Sequence, residues 1–275
     1  MGIFSNCLLV SDIDGTLKDR EGIPSKNIEM IEYFKKEGGK FTIATGRGPS
    51  VAKGVCKEAH VNCPVLLSNG SVIYDVEKDE ILSIQYLPKS AKYVTNQVAE
   101  NFQGVGIQIT LDDKLVNLAD NVDTQNYRSR VGNPYLPVTF EEIKDIPWVK
   151  VLVMASDEEL LKSIKKFMAG LKREEFQYIV TSPSYYEIHI AGMNKSVNIN
   201  KLLEMSDIPN GKVFAIGDYY NDFEMVKSAD IGAFLPETPE ELKPYADFIS
   251  CSVREGAVGH FIEYLANKLK NNSKG

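Results

Sequence analysis

The 275 residues are 43% hydrophobic and 25% charged, a globular balance with enough chain for one large domain or a core carrying a second module. Net charge is −7 with acidic and basic residues interspersed, so the electrostatic footprint of a nucleic-acid binder is missing. No apolar run reaches the roughly 20 residues that cross a bilayer, and no basic stretch precedes the N-terminal apolar segment. A cytoplasmic protein with no membrane partner is expected.

In chain order, Cys7-Leu8-Leu9-Val10 carries the signal of a buried strand. Ser25 is placed to cap a helix on which Ile28, Ile31 and Phe34 recur at helical spacing and which stops at Gly38-Gly39. Phe41 to Ala44, Pro64 to Leu67 and Val72 to Tyr74 read as further strands. Strand, helix, strand at this spacing implies right-handed βαβ units and a parallel sheet. The middle differs: helices are expected over Ser90 to Phe102 and Asp157 to Leu171, and strands over Gly106 to Thr110, Val149 to Met154 and Tyr185 to Ile190. An irregular, proline-rich stretch runs from Asn133 to Pro147. The first grammar then returns, with a helix over Val197 to Met205, a strand over Val213 to Ile216 and a short helix over Asp222 to Ser228. Strands Ile231 to Leu235 and Ala246 to Ile249, a helix from Val258 to Lys268 and a frayed tail to Lys274 complete it. The reading is an α/β fold: a parallel-sheet core built from 1–84 and 190–275, flanked by helices, with an α+β module inserted over 85–189.

Cys7, Cys56, Cys63 and Cys251 show no CxxC pair and no zinc spacing, so reduced structural thiols are expected. His60 and His260 fall in helical stretches and His189 alternates with Ile188 and Ile190; none reads as a general base.

The strongest local signal is Ser11-Asp12-Ile13-Asp14-Gly15-Thr16. Two carboxylates one residue apart follow a buried strand, where ligands of open parallel sheets bind. A hard cation such as Mg²⁺ takes oxygen ligands and keeps several waters, so a few carboxylates suffice. Asp and Gly also favour plain turns, but D-x-D-G-T arises by chance in only about two chains per thousand of this length. The motif resembles the first motif of the haloacid dehalogenase-like hydrolases, most of which are phosphatases.

Three further segments in the same order strengthen the resemblance. Ile43-Ala44-Thr45-Gly46-Arg47 ends a strand and offers hydroxyl and backbone N–H donors to an anion. Lys195, in Gly192-Met193-Asn194-Lys195-Ser196, lies between the inserted module and the second core block; the family usually has Gly where Ser196 stands. Gly217-Asp218-Tyr219-Tyr220-Asn221-Asp222 ends another strand, and Asn221 and Asp222 can also serve as helix caps. Together these place the chain beside the Cof-type branch, with a class II cap between the second and third motifs. Ser68-Asn69-Gly70-Ser71 also matches a turn of that family, although a hairpin explains Asn-Gly equally well.

The resemblance implies a Rossmann-like core and a Mg²⁺-dependent phosphatase acting on a small phosphorylated metabolite. It makes Asp12 the nucleophile and Asp14 the acid and base. The metal would be held by Asp12, the Asp14 backbone carbonyl and Asp218. The phosphoryl group would be gripped by Thr45, Arg47, Lys195, Asn221 and the backbone N–H groups of Ile13 and Gly46, and Asp222 would orient Lys195 or a metal-bound water. The inserted module is expected to act as a lid selecting the substrate, with Tyr127, Arg128 and Arg130 as candidates in it. A phosphomutase sharing the aspartyl-phosphate, or a non-catalytic phosphate sensor, are the alternatives.

Overall fold

Every residue of the run Cys7–Ser11 is buried, the pattern of a strand covered on both faces. The computed structural model describes residues 2–112, 114–132, 136–171, 174–182 and 184–272. These divide into two compact units, one of Met1–Arg47, Ala52–Leu82 and Asn194–Gly275, the other of Gly48–Val51 and Ser83–Met193.

From the N-terminus the elements are β1 (Cys7–Ser11), α1 (Ser25–Lys36), β2 (Lys40–Ile43), α2 (Pro49–Glu58), β3 (Val65–Leu67), β4 (Val72–Asp75) and β5 (Glu80–Ile84). There follow α3 (Lys89–Asn101), β6 (Gly106–Thr110), β7 (Leu115–Ala119), α4 (Val122–Val131), α5 (Phe140–Ile143), β8 (Lys150–Met154), α6 (Glu158–Gly170), β9 (Phe176–Ser182) and β10 (Tyr185–Ile190). The chain closes with α7 (Ile199–Met205), β11 (Lys212–Ile216), α8 (Phe223–Ser228), β12 (Ile231–Phe234), β13 (Phe248–Ile249) and α9 (Ala257–Asn272).

In the first unit the strands lie in the order β13-β12-β11-β1-β2, all parallel. Ser11 faces Ile216 on one side and Ile43 on the other, so β1, β2 and β11 end level with one another. Leu8 and Val10 point into a cluster with Ala44, Leu66, Ile73, Ala215, Met225 and the α7 residues Ile199, Leu202 and Leu203. Each such fully buried aliphatic side chain contributes about 1.5–3 kcal/mol relative to exposure. That anchoring holds the strand ends, and hence the motifs beyond them, at fixed positions.

The helix after β1 begins differently from the sequence reading. Pro24 is the N-cap and Ser25 is already helical, with no side-chain cap bond. The Pro24 carbonyl accepts the first amides, from Asn27 and Ile28, and proline loses nothing there because its missing N–H would be an orphan anyway. His60 lies beyond the end of α2 at φ 55, not within a helix, and its Nδ1 lies 2.8 Å from Glu32 Oε1. The C-terminal tail continues α9 to Asn272 instead of fraying from Lys268, and 273–275 lie outside the described residues. The four cysteines are free, and burial pushes the thiols of Cys56 and Cys63 up to about 12 and about 11.

The second unit holds an antiparallel sheet in the order β7-β6-β8-β10-β9. Alternation sends Ile107, Ile109, Val116, Val151, Val153 and Ile188 into one apolar cluster with Val94, Val98, Trp148, Ile164 and Met168. The alternate positions Gln108, Thr110, Asn117, Lys150, Glu187 and His189 are polar, yet also buried. Lys150 Nζ donates to Glu187 Oε1 at 2.9 Å, and His189 Nε2 lies 2.6 Å from Glu187 Oε2. Burial alone would raise the Glu187 carboxyl, but the Lys150 charge and the hydrogen bond with His189 outweigh it and hold it at about 2. The stretch expected to be irregular contains the short helix α5, and Asn133 lies outside the described residues.

The architecture is the α/β fold read from the sequence, a Rossmann-like parallel sheet with an α+β module. Among the described residues no helix is long and apolar enough to cross a membrane.

Candidate active site

The first motif leaves β1 at Asp12, whose N–H donates to Ile216 O at 3.1 Å. The turn beyond it is pinned by the Ile13 carbonyl, which accepts the amides of Leu17 and Lys18 at 3.0 Å each. Gly15 sits at φ 93, and a Cβ there would stand 2.6 Å from Asp218 Oδ2; glycine alone fits both the left-handed backbone and the close approach. The turn therefore brings two distant strand ends together.

Asp12 is 6% exposed. Burial, with the charges of Asp222, Asp218 and Asp14 beside it, lifts its carboxyl well above the ordinary range, and Lys195 opposes that rise. Lys195 is fully buried, and its Nζ donates at 2.6 Å to both Asp12 Oδ1 and Asp222 Oδ1. Burial works against the ammonium, but the two carboxylates outweigh it and raise its pKa above that of a free lysine. Asp222 spends its other oxygen on the amides of Asp218 and Tyr219, at 3.1 and 3.2 Å. A Cβ on Gly217 would meet Asp222 Cβ at 2.3 Å, so the strand exit passes directly under this carboxylate.

Asp218 accepts from Thr16 Oγ1 at 2.8 Å, and burial and Asp222 push its carboxyl up to about 7. Thr16 ends the first motif, but its placement against a residue two hundred positions away carries no local signal. One oxygen each from Asp12, Asp218 and Asp222 lies within 4.8 Å of the others. Three hard carboxylate donors so close, offset by a single ammonium, form a set that fits a divalent cation of the Mg²⁺ kind. Asp14, expected at the metal through its backbone carbonyl, turns its carboxylate elsewhere: Arg47 Nε and Nη2 donate to it at 2.8 and 2.6 Å. The Arg47 fork thus holds Asp14 bidentately, although the sequence placed that guanidinium on phosphate.

Thr45 is buried, its N–H donates to Leu66 O at 2.9 Å, and its Oγ1 accepts from Arg47 N at 3.2 Å. A Cβ on Gly46 would lie 3.3 Å from Asn69 Oδ1, so Asn69, given little weight in the sequence, backs this turn directly. Asn221 sits half-buried in a single 3₁₀ turn, Tyr220–Asp222. Of the module's candidates, Tyr127 packs edge-on against Tyr185 with centroids 5.9 Å apart. Arg128 lies in α4, as does Arg130, whose side chain is outside the described set.

A family model for haloacid dehalogenase-like hydrolases matches residues 9–262. A 5-amino-6-(5-phospho-D-ribitylamino)uracil phosphatase of Bacillus subtilis (strain 168) is 23% identical over 94% of this chain and 94% of its own. A haloacid dehalogenase-like hydrolase from Bacteroides thetaiotaomicron superposes with a TM-score of 0.83 at 24% identity, covering 94% of this chain and 99% of that one. A HAD subclass IIB sugar phosphatase gives a TM-score of 0.81 at 20% identity, over 94% and 98%. With four motifs in order and a family match spanning nearly its whole length, the chain belongs to the haloacid dehalogenase-like hydrolases.

Proposed function

We propose that this phosphatase is Mg²⁺-dependent and hydrolyses small phosphorylated metabolites, of the sugar-phosphate or similar phosphomonoester class, through an aspartyl-phosphate. The observation that carries the reading is the buried trio of Asp12, Lys195 and Asp222, with Asp218 beside it at one end of the sheet. Phosphate monoester hydrolysis is among the slowest uncatalysed reactions, and positioning and charge neutralisation supply most of its acceleration. A bound Mg²⁺ would be held by Asp12, Asp218 and the Asp14 backbone carbonyl, with Asp222 close by, and would neutralise charge on the phosphoryl oxygens.

Asp12 attacks phosphorus in line, forming the acyl-phosphate bond as the bond to the leaving oxygen breaks. Asp14 gives that oxygen its proton, then takes one from the water that attacks the intermediate and frees Asp12 and inorganic phosphate. To do so Asp14 exchanges its Arg47 partner for the substrate. Lys195, Thr45, Asn221 and the N–H groups of Ile13 and Gly46 hold the phosphoryl oxygens. A screen of phosphorylated metabolites read by phosphate release tests this reading. In excess chelator, release is expected to fall by about 100-fold or more and to return with Mg²⁺. Full activity in excess chelator sinks the metal, and isomerised sugar phosphate without free phosphate makes the enzyme a mutase.

Residues 1–84 and 190–275 supply these groups, and we assign 85–189 as a cap that selects the substrate, since the motifs grip only what all phosphomonoesters share. Grafting 85–189 from a relative of different specificity should carry the substrate ranking with it. A ranking that stays with the recipient core refutes the assignment.

A further inference from the structure

The link between β3 and β4 is built at unusual conformational cost. Ser68, Asn69 and Gly70 lie in succession at φ 50, 52 and 95, and Ser68 carries a side chain that resists the left-handed region, which Asn tolerates better. An Asn-Gly hairpin turn asks for two such residues and sits in solvent. Here Ser68, Asn69 and Ser71 are each at most 1% exposed. Among the described residues, Ser68 Oγ and Ser71 Oγ are buried without a hydrogen-bond partner, a second cost that a surface turn would avoid.

The conformation has a consequence one strand away. After Thr45 N–H donates to Leu66 O, the left-handed turn aims the next amides back at the same segment. Ser68 N–H donates to Arg47 O and Asn69 N–H to Thr45 O, both at 2.9 Å. The Asn69 amide lies against Gly46, where an added Cβ would stand 3.3 Å from Oδ1 and 3.5 Å from Nδ2. From the other side Asn198 Nδ2 donates to Gly70 O at 2.8 Å, three residues after Lys195. The loop thus spans two segments that carry phosphate-binding groups, touching Thr45, Gly46 and Arg47 by backbone and side chain.

We propose that Ser68–Gly70 is a strained brace that fixes the donor geometry of Thr45–Arg47, and that Asn69 is a positioning residue for the transferring phosphoryl group. The inference rests on the phosphatase reading above. Strain of this kind persists only where the surroundings over-determine it, and it concentrates at functional sites. Without the Asn69 side chain, Gly46 loses its backing and the Thr45–Arg47 turn can shift, and a shift near 1 Å is enough to cost a site much of its rate. Because a phosphoryl group is gripped harder in the transition state than in the ground state, the loss falls on turnover more than on substrate binding.

The test is Asn69→Gly, which keeps the backbone conformation available and removes only the side chain. The variant is expected to melt at or above the wild-type temperature. Its kcat on p-nitrophenyl phosphate is expected to fall by about tenfold or more while KM changes by less than about threefold. Orthovanadate, which mimics the five-coordinate phosphorus, should bind more weakly to the variant by a factor close to the loss in kcat/KM when measured with Mg²⁺ by calorimetry. A variant within about twofold of wild type in both kcat and vanadate affinity overturns the brace, whatever its melting temperature. A wild-type protein that releases no phosphate overturns the phosphatase reading instead, and the paired vanadate affinities then decide the brace alone.

Discussion

Asp12→Asn is expected to release no measurable phosphate, a loss of at least about 10⁴-fold, because an amide cannot form the covalent intermediate. The fold should survive. Asp12 is buried, and burial and neighbouring carboxylates already raise its carboxyl well above the ordinary range, so its charge is costly in the absence of a cation. A neutral amide of the same shape removes that cost, and Lys195 keeps Asp222 as a partner at 2.6 Å. The melting temperature in chelator is therefore expected to hold or rise, since a carboxyl whose folded pKa is raised destabilises the fold whenever it is ionised, and the amide carries no such penalty. Turnover above about 1% of wild type removes the covalent mechanism, and a collapse in melting temperature removes the electrostatic account.

Lys195→Ala is expected to damage both activity and stability. Truncation leaves the oxygens of Asp12, Asp218 and Asp222 within 4.8 Å of one another with no ammonium among them. Breaking a buried pair by deleting one partner costs about 3–5 kcal/mol, and phosphate release should fall by roughly 10³-fold. The pH dependence separates electrostatics from lost packing. Carboxylates whose folded pKa lies above the unfolded value of about 3.9 destabilise the fold at any pH above that value. In the variant that penalty is full near pH 8 and recedes as the pH falls through the raised folded values. The gap in unfolding free energy between variant and wild type should narrow by about half between pH 8 and pH 5. A gap that stays constant across that range points to a packing defect instead.

Much of the core was visible in the sequence because parallel strands buried on both faces read as short apolar runs. Cys7 to Val10 appears as β1 with one residue added, and Gly106 to Thr110 is β6 to the residue. The elements passed over carry mixed signals. β7 (Leu-Val-Asn-Leu-Ala) and β9 (Phe-Gln-Tyr-Ile-Val-Thr-Ser) place polar residues among their apolar ones. α4 is polar nearly throughout and is started by a capping box from Asn121, whose side chain accepts from Thr124 N. For the site, three of the four motif segments were legible as a strand followed by a turn, and Lys195 by its place between the inserted module and the second core block. Pairings between segments were not: Thr16 on Asp218, and Arg47 on Asp14, depend on which strand ends the sheet brings level. Asn69 sits in a turn whose two residues of Asn-Gly look like an ordinary hairpin until a third left-handed residue and full burial are seen.

The sheet order also governs how the chain can fold. β1 has β2 on one edge, close in sequence, but on its other edge it takes β11, where Cys7 faces Lys212. Closing a loop of roughly 200 residues costs about 5 kcal/mol in chain entropy before the pairing repays any of it. On the ribosome, the β11-facing edge of β1 stays open until residue 216 has emerged, with Leu8, Leu9 and Val10 awaiting their cover. An unpaired apolar edge of this kind is what chaperones hold and what aggregates in their absence. Refolding from denaturant should thus be slow and concentration-limited by the same strand that leads into Asp12, because high sequence separation at the central pairing sets the rate.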